Sequence, residues 1–122
     1  MPWKRSALIV DDQPFFGMVA SDILHESGFE TFHAFGAADA VAVLRAHPEI
    51  EVLLTEAKLA GGVDGVELAR LVSQERREMR IVLTTSERIG SAVPEGTQVL
   101  MKPYSSAELR AQVAASAPRE LA

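Results

Sequence analysis

The stretch Ala7-Leu8-Ile9-Val10-Asp11-Asp12 sets the pattern of this sequence. Four apolar residues run without interruption and then end in two acidic residues. A short continuous apolar run rich in branched residues is typical of a strand buried on both faces, which occurs mainly in parallel sheets. We therefore expect a buried strand at 7–10 whose carboxyl end carries two carboxylates.

A helix is expected directly after this strand. Pro14 suits the first turn of a helix, and Gly28 is a residue that commonly ends one. Between them, apolar residues recur at helical spacing. They are Phe15, Phe16, Val19, Ala20, Ile23 and Leu24. The first unit of the chain therefore predicts a strand followed by a helix.

The same unit repeats along the chain. Further strands are predicted at 30–35, 52–55, 81–85 and 99–101, and further helices over the apolar stripes at 37–44, 66–72 and 109–113. Ser105 and Glu108 have the spacing of a capping box and mark the start of the last helix. Each predicted strand is thus followed by a helix, with one expected exception.

The exception is the segment between the fourth and fifth strands. Gly90, Pro94 and Gly96 interrupt it and leave few apolar residues at helical spacing. We expect the helix there to be a turn or two long, or absent. The tail from Ala117 is expected to fray.

Strands that alternate with helices, each strand fully apolar, predict an α/β fold with a parallel sheet between two helix layers. The chain has 122 residues, 48% of them hydrophobic and 24% charged, which fits one globular domain. We expect a single domain over 1–122 with its core at about 5–116. This length leaves no room for a separate output or catalytic module, so the domain is expected to stand alone.

Composition excludes several classes of function. The sequence contains no Cys, which excludes disulfides, thiolate zinc sites, iron–sulfur ligation and a cysteine nucleophile. The net charge of −5 has the wrong sign for a protein that binds nucleic acid through a basic surface. No apolar run reaches the length of a signal-peptide core or of a membrane span. We expect a cytoplasmic protein without direct nucleic-acid or membrane partners.

Polar side chains follow four of the predicted strands. Asp11 and Asp12 end the first, Glu56 the third, Thr85 the fourth and Lys102 the fifth. In open parallel sheets, ligands bind at the carboxyl ends of the strands, where these side chains converge. Clustered acids repel each other, and Mg²⁺, which prefers a few carboxylates with waters, would offset that repulsion. A lysine at the same edge favours an anion beside the metal.

Four segments in this order resemble the receiver domain of two-component response regulators, over essentially the whole chain. The matching segments are 8–12 (LIVDD), 53–56 (LLTE) with 61–65 (GGVDG), 85–86 (TS) and 102–104 (KPY). The resemblance implies a flavodoxin-like doubly wound sheet of five parallel strands in the order 2-1-3-4-5. It also implies a Mg²⁺ site and an acceptor aspartate on the third strand that receives a phosphoryl group from a histidine kinase.

The family's site residues carry over to single positions of this chain. The resemblance makes Asp11, Asp12 and Glu56 the candidate metal ligands. It makes Thr85 and Lys102 the candidate phosphoryl-contacting residues. A slip of one residue would put Thr84 in place of Thr85, and the sequence leaves this choice open.

The acceptor position departs from the family pattern, because Glu56 stands where the family has an aspartate. Glutamate reaches about 1.5 Å further. A misplacement of about 1 Å can cost on the order of a hundredfold in rate, so we expect impaired phosphorylation. The longer side chain is expected to pair with Lys102 and Thr85 instead. Whether Glu56 mimics the phosphorylated state or only silences the domain stays open.

Two more positions differ from the family, Ala60 in place of the usual Pro and Val99 in place of an aromatic residue. The leading hypothesis is a signalling module that acts by protein–protein interaction rather than as an enzyme. Its partner would be a histidine kinase, a phosphotransfer protein or a downstream target. The alternatives are a small Mg²⁺-dependent phosphoryl-transfer enzyme and an ordinary receiver phosphorylated on another acidic residue. A flavin or nucleotide carrier is disfavoured, because no phosphate-binding glycine loop follows the first strand.

Overall fold

Strands and helices alternate along the chain in the computed structural model, which describes residues 5–90 and 93–116. The strands are β1 (Arg5–Val10), β2 (Phe29–Ala34), β3 (Ile50–Glu56), β4 (Arg80–Thr85) and β5 (Gln98–Met101). The helices are α1 (Pro14–Glu26), α2 (Ala37–Ala46), α3 (Gly65–Glu75) and α4 (Ser106–Ala115). The predicted fraying of the tail from Ala117 concerns residues outside those described.

All five strands are parallel and form one sheet in the order β2-β1-β3-β4-β5. This confirms the predicted flavodoxin-like doubly wound fold and its strand order. The chain runs outward from β1 in one direction to β2 and then in the other to β3, β4 and β5. The carboxyl ends of β1 and β3 therefore meet at the point where the strand order reverses, which is where such folds bind ligands.

Both faces of the sheet are covered by helices, which explains why its strands are continuously apolar. In β1, Ala7 and Ile9 pack on one face, and Leu8 and Val10 pack on the other. Helices α1 and α4 cover the first face, and α2 and α3 cover the second. The helix residues buried on the first face include Ala20, Ile23, Leu24, Leu109 and Val113.

No helix connects β4 to β5 within the described residues, which agrees with the expectation of a short or absent helix there. One face of the sheet is therefore only partly covered at the edge strand β5. Val99 and Met101 of β5 remain 40% and 51% exposed there. Leu100, which lies between them in β5, points to the opposite face of the sheet and is buried.

The start of α3 is fixed against the end of β3, and this contact places the acidic end of that strand. The side chain of Asp64 accepts a hydrogen bond from Glu67 N and caps α3. A methyl group at Gly65 would collide with the backbone carbonyl of Glu56, so only glycine allows the helix to approach so closely. At the other end of the chain, Ser105 and Glu108 form the predicted capping box of α4.

Within the described part of the chain, no helix is both long and apolar enough to cross a membrane.

Candidate functional site

The residues predicted to form a site lie at the carboxyl edge of the sheet. Asp11 and Asp12 follow β1, Glu56 and Thr85 are the last residues of β3 and β4, and Lys102 follows β5. Three of these residues, Asp11, Glu56 and Lys102, are buried and in direct contact. Parallel strand direction is what brings them together, because it puts all carboxyl ends on one side of the sheet.

The ammonium of Lys102 is the centre of this cluster. Its Nζ donates hydrogen bonds to Glu56 Oε2 at 2.6 Å, Asp11 Oδ2 at 2.8 Å and Gln13 Oε1 at 3.3 Å. The ring of Phe16 lies over it, with its centroid 4.0 Å from Nζ. The three N–H donors of the lysine thus each have an acceptor, and an aromatic face covers the charge.

Burial and negative charge dominate the electrostatics. Burial raises the pKa of Glu56, and the nearby charges of Asp11 and Asp12 raise it further, against the opposing effect of Lys102. Burial, together with the charges of Asp11 and Glu56, also raises the pKa of Tyr104 to about 12. Two carboxylates, those of Asp11 and Glu56, thus share one ammonium with the carboxylate of Asp12 nearby, and the site favours additional positive charge.

Asp12 lies at the half-buried rim of the cluster. Its Oδ2 accepts a hydrogen bond from Ala60 N at 3.0 Å, which ties the loop before α3 to the end of β1. One carboxylate oxygen from each of Asp11, Asp12 and Glu56 lies within 4.8 Å of the other two. A few convergent carboxylates with space for water are the ligand set that Mg²⁺ prefers. The donor set therefore fits the divalent cation that the sequence predicted.

The two threonines at the end of β4 do not form the contact that was expected between Thr85 and Glu56. Thr85 Oγ1 donates to Glu87 O at 2.6 Å and accepts from Glu87 N at 3.2 Å. The expected Glu56–Thr85 contact is absent among the hydrogen bonds of the described residues, because a local turn uses this hydroxyl. Thr84 is in register with Glu56, and its buried Oγ1 has no partner within that part of the chain. Which hydroxyl would serve a phosphoryl group stays a prediction.

The structure adds Gln13 and Phe16 to the residues proposed from the sequence. Both follow the acidic pair, Gln13 as the N-cap residue of α1 and Phe16 in its first turn, and both contact Lys102. Their nearness to Asp11 and Asp12 in the sequence suggested that they could lie at the site. The sequence did not show whether Phe15 or Phe16 contacts Lys102. Phe15 is 69% exposed and lies outside the cluster.

The family model for the response regulator receiver domain matches residues 7–114. A response regulator receiver protein from Sinorhizobium medicae WSM419 is similar, with a TM-score of 0.82 and 23% identity over 91% of this chain and 92% of the other. The N-terminal domain of a response regulator/sensory box/GGDEF 3-domain protein from Carboxydothermus hydrogenoformans has a TM-score of 0.78 and 25% identity over 91% and 92%.

A third similar structure is a CheX–CheY–BeF3–Mg²⁺ complex from Borrelia burgdorferi, with a TM-score of 0.76 and 21% identity over 88% of this chain and 85% of the other. These likenesses agree with the fold and its strand order. Because the family model covers most of the chain, the protein belongs to the response regulator receiver domain family.

Proposed function

We propose that this protein is a receiver-type signalling module in which Glu56 occupies the phosphoacceptor position and phosphorylation is impaired. The observation that carries the proposal is the 2.6 Å contact between Glu56 Oε2 and Lys102 Nζ in a buried site. Both side chains are almost fully enclosed, at 9% and 2% exposure. The module would then act through binding to other proteins rather than as an enzyme.

The contact has two consequences for phosphoryl transfer. Lys102, the residue proposed to contact a phosphoryl group, already has acceptors for its N–H donors in Glu56, Asp11 and Gln13. The extra methylene of Glu56 also moves its carboxylate about 1.5 Å from where an aspartate would hold it. In-line transfer tolerates little misplacement, so both effects slow the reaction.

We also propose that Asp11, Asp12 and Glu56 hold Mg²⁺. Support comes from their convergent carboxylate oxygens and from the raised pKa of Glu56, which reflects burial beside like charges. A bound divalent cation would offset this repulsion and would polarise the oxygens of an incoming phosphoryl group. The similar Borrelia complex contains Mg²⁺ and BeF3.

The proposed partners are a histidine kinase, a phosphotransfer protein or a downstream target, met in the cytoplasm. The similar CheY structure is a complex with CheX. The net charge of −5 supports a protein partner rather than nucleic acid.

Intact-mass spectrometry after incubation with Mg²⁺ and acetyl phosphate tests the acceptor proposal. Wild-type protein should show no phosphoryl adduct, whereas Glu56→Asp should gain one, because aspartate restores the reach of the carboxylate. Glu56→Gln is the matched control, since it removes the acceptor but keeps the length of the side chain. An adduct on wild type that is lost in Glu56→Gln would overturn the proposal. An adduct that persists in Glu56→Gln would point to another acidic residue, and no adduct on any variant would show that Glu56 alone is not the block.

Thermal unfolding with and without Mg²⁺ tests the metal proposal. Mg²⁺ should raise the Tm of wild type. At a Mg²⁺ concentration a hundred times the Kd, binding should increase the free energy of unfolding by about 2.7 kcal/mol. Asp12→Asn should lose most of this shift, because it removes one of the convergent carboxylates. Asp22→Asn, an equivalent change at an exposed position of α1, should keep it. Equal shifts in both variants would contradict a site at the acidic cluster.

A further inference from the structure

A second pocket lies at the amino edge of the sheet, opposite the acidic cluster. It opens between α1 and α4, next to the first residues of β1, β2 and β4, and has a volume of about 220 Å³. Three arginines surround an apolar floor that includes three buried side chains. These six residues are Arg5, Arg80 and Arg110 around Leu24, Phe29 and Val113.

Arg5 is held in place from two sides. Its Nε and Nη2 donate to Glu51 Oε1 at 3.1 Å and 3.0 Å. Its guanidinium carbon also lies 4.7 Å from the centroid of the Phe29 ring, a stacking distance for arginine on an aromatic face. An oriented guanidinium loses less side-chain entropy when it binds a ligand than a freely moving one does.

The other two arginines use only part of their donor capacity. Arg80 Nη1 donates to Ser116 O at 2.7 Å, and Arg110 Nη2 donates to Ser106 Oγ at 3.4 Å. Neither forms an ion pair with a carboxylate in the described part of the chain. Among the described residues, only Arg5 of the three arginines forms an ion pair, with Glu51.

This local positive charge contrasts with the chain as a whole, which carries a net charge of −5. Guanidinium groups match carboxylates in geometry and bind them through paired hydrogen bonds. The apolar floor has room for one large side chain. Arginine and aromatic residues around such a pocket are typical of the centre of a protein interface.

We propose that this pocket docks an acidic peptide segment of a partner protein. The segment would place one large apolar side chain on the floor formed by Leu24, Phe29 and Val113, and its Asp or Glu carboxylates on Arg80 and Arg110. The small extent of the basic surface and the chain's net charge of −5 oppose a nucleic-acid backbone as the occupant. This docking does not depend on the chemistry of Glu56, which lies about six residues of strand away, roughly 20 Å.

Fluorescence anisotropy with a labelled peptide, acetyl-Glu-Asp-Leu-Glu-Glu-amide, tests the proposal on the full chain. Binding should weaken at least tenfold in Arg110→Glu, because the pocket loses a cation and gains an anion. Arg77→Glu is the matched control, since it makes the same charge change at an exposed arginine that does not line the pocket, and it should bind like wild type. Replacing the peptide leucine with serine should also weaken binding, because the apolar floor then has no partner.

Several results would overturn the proposal. Absence of peptide binding to wild type, or equal weakening in both arginine variants, would leave no specific site. Tighter binding of an oligonucleotide duplex that is lost in Arg110→Glu would assign the pocket to nucleic acid. Peptide binding gained only when residues 117–122 are deleted would make the chain's own tail the occupant. A dimer in sedimentation that Arg110→Glu dissociates would make the occupant a second copy of the chain.

The melting curve of Arg110→Glu is the control for folding. If it is unchanged from wild type, weaker peptide binding reflects the loss of the site and not the loss of the fold.

Discussion

Two acid–base pairs at opposite edges of the same sheet have similar geometry but different surroundings. Glu56 and Lys102 are 2.6 Å apart with side chains 9% and 2% exposed, and Arg5 and Glu51 are 3.0 Å apart with side chains 46% and 40% exposed. Water can replace either partner of the second pair but has little access to the first. The comparison shows that burial, rather than distance, decides what an ion pair contributes.

The physical reason lies in desolvation. Removing charges from water costs several kcal/mol per ion, and the attraction between them repays this only when further hydrogen bonds complete the network. Lys102 has such a network in Asp11, Glu56 and Gln13. The exposed pair at the amino edge loses little hydration, and it contributes only about 0.2–1 kcal/mol to the free energy of unfolding. The first pair is therefore expected to contribute more to the free energy of unfolding than the second, which mainly orients Arg5.

The largest expected effect comes from removing the buried cation. Lys102→Met should lower the free energy of unfolding by about 3–5 kcal/mol, because it leaves the carboxylates of Asp11 and Glu56 buried without a counterion. Urea denaturation monitored by circular dichroism measures this change.

The double variant Lys102→Met with Glu56→Gln is the control for that experiment. It removes both charges of the pair, so it should recover part of the lost stability. If the double variant is as unstable as the single variant, or if Lys102→Met costs under 1 kcal/mol, the buried pair behaves like a surface pair and the comparison fails.

The smallest expected effect comes from the exposed pair. Glu51→Gln should change the free energy of unfolding by less than about 1 kcal/mol, because solvent screens the interaction with Arg5. The difference from wild type should shrink further when the same denaturation is repeated at high salt. A loss comparable with that of Lys102→Met would show that exposure does not separate the two pairs.

Local sequence patterns predicted the elements of the fold well, because buried parallel strands and amphipathic helices have distinct periodicities. The apolar run at 7–10 lies in β1, and Gly90, Pro94 and Gly96 indicated a short or absent helix between β4 and β5, where the described residues contain none. Strand direction then followed from the alternation of strands and helices. The order of the strands came from the family resemblance rather than from the periodicity.

Side-chain directions at the site were harder to predict. The sequence placed Asp11, Glu56 and Lys102 at one edge, since each follows a strand. It did not show that Gln13 and Phe16 complete the shell of Lys102. Rotamers and helix orientation depend on contacts between segments that are distant in the chain, which residue spacing does not encode.

The cluster of Arg5, Arg80 and Arg110 was not visible from the sequence for the same reason, because these residues are far apart in the chain and belong to β1, β4 and α4.

The sequence by itself determined the α/β class and the acidic and basic residues at the strand ends, Glu56 at the end of the third strand among them, because these depend on local patterns and residue identity. The tertiary structure decided that Glu56 pairs with Lys102, that the Thr85 hydroxyl bonds to Glu87 and that three arginines share a pocket. Those outcomes depend on how packed elements orient side chains over distances that only the folded chain brings within reach.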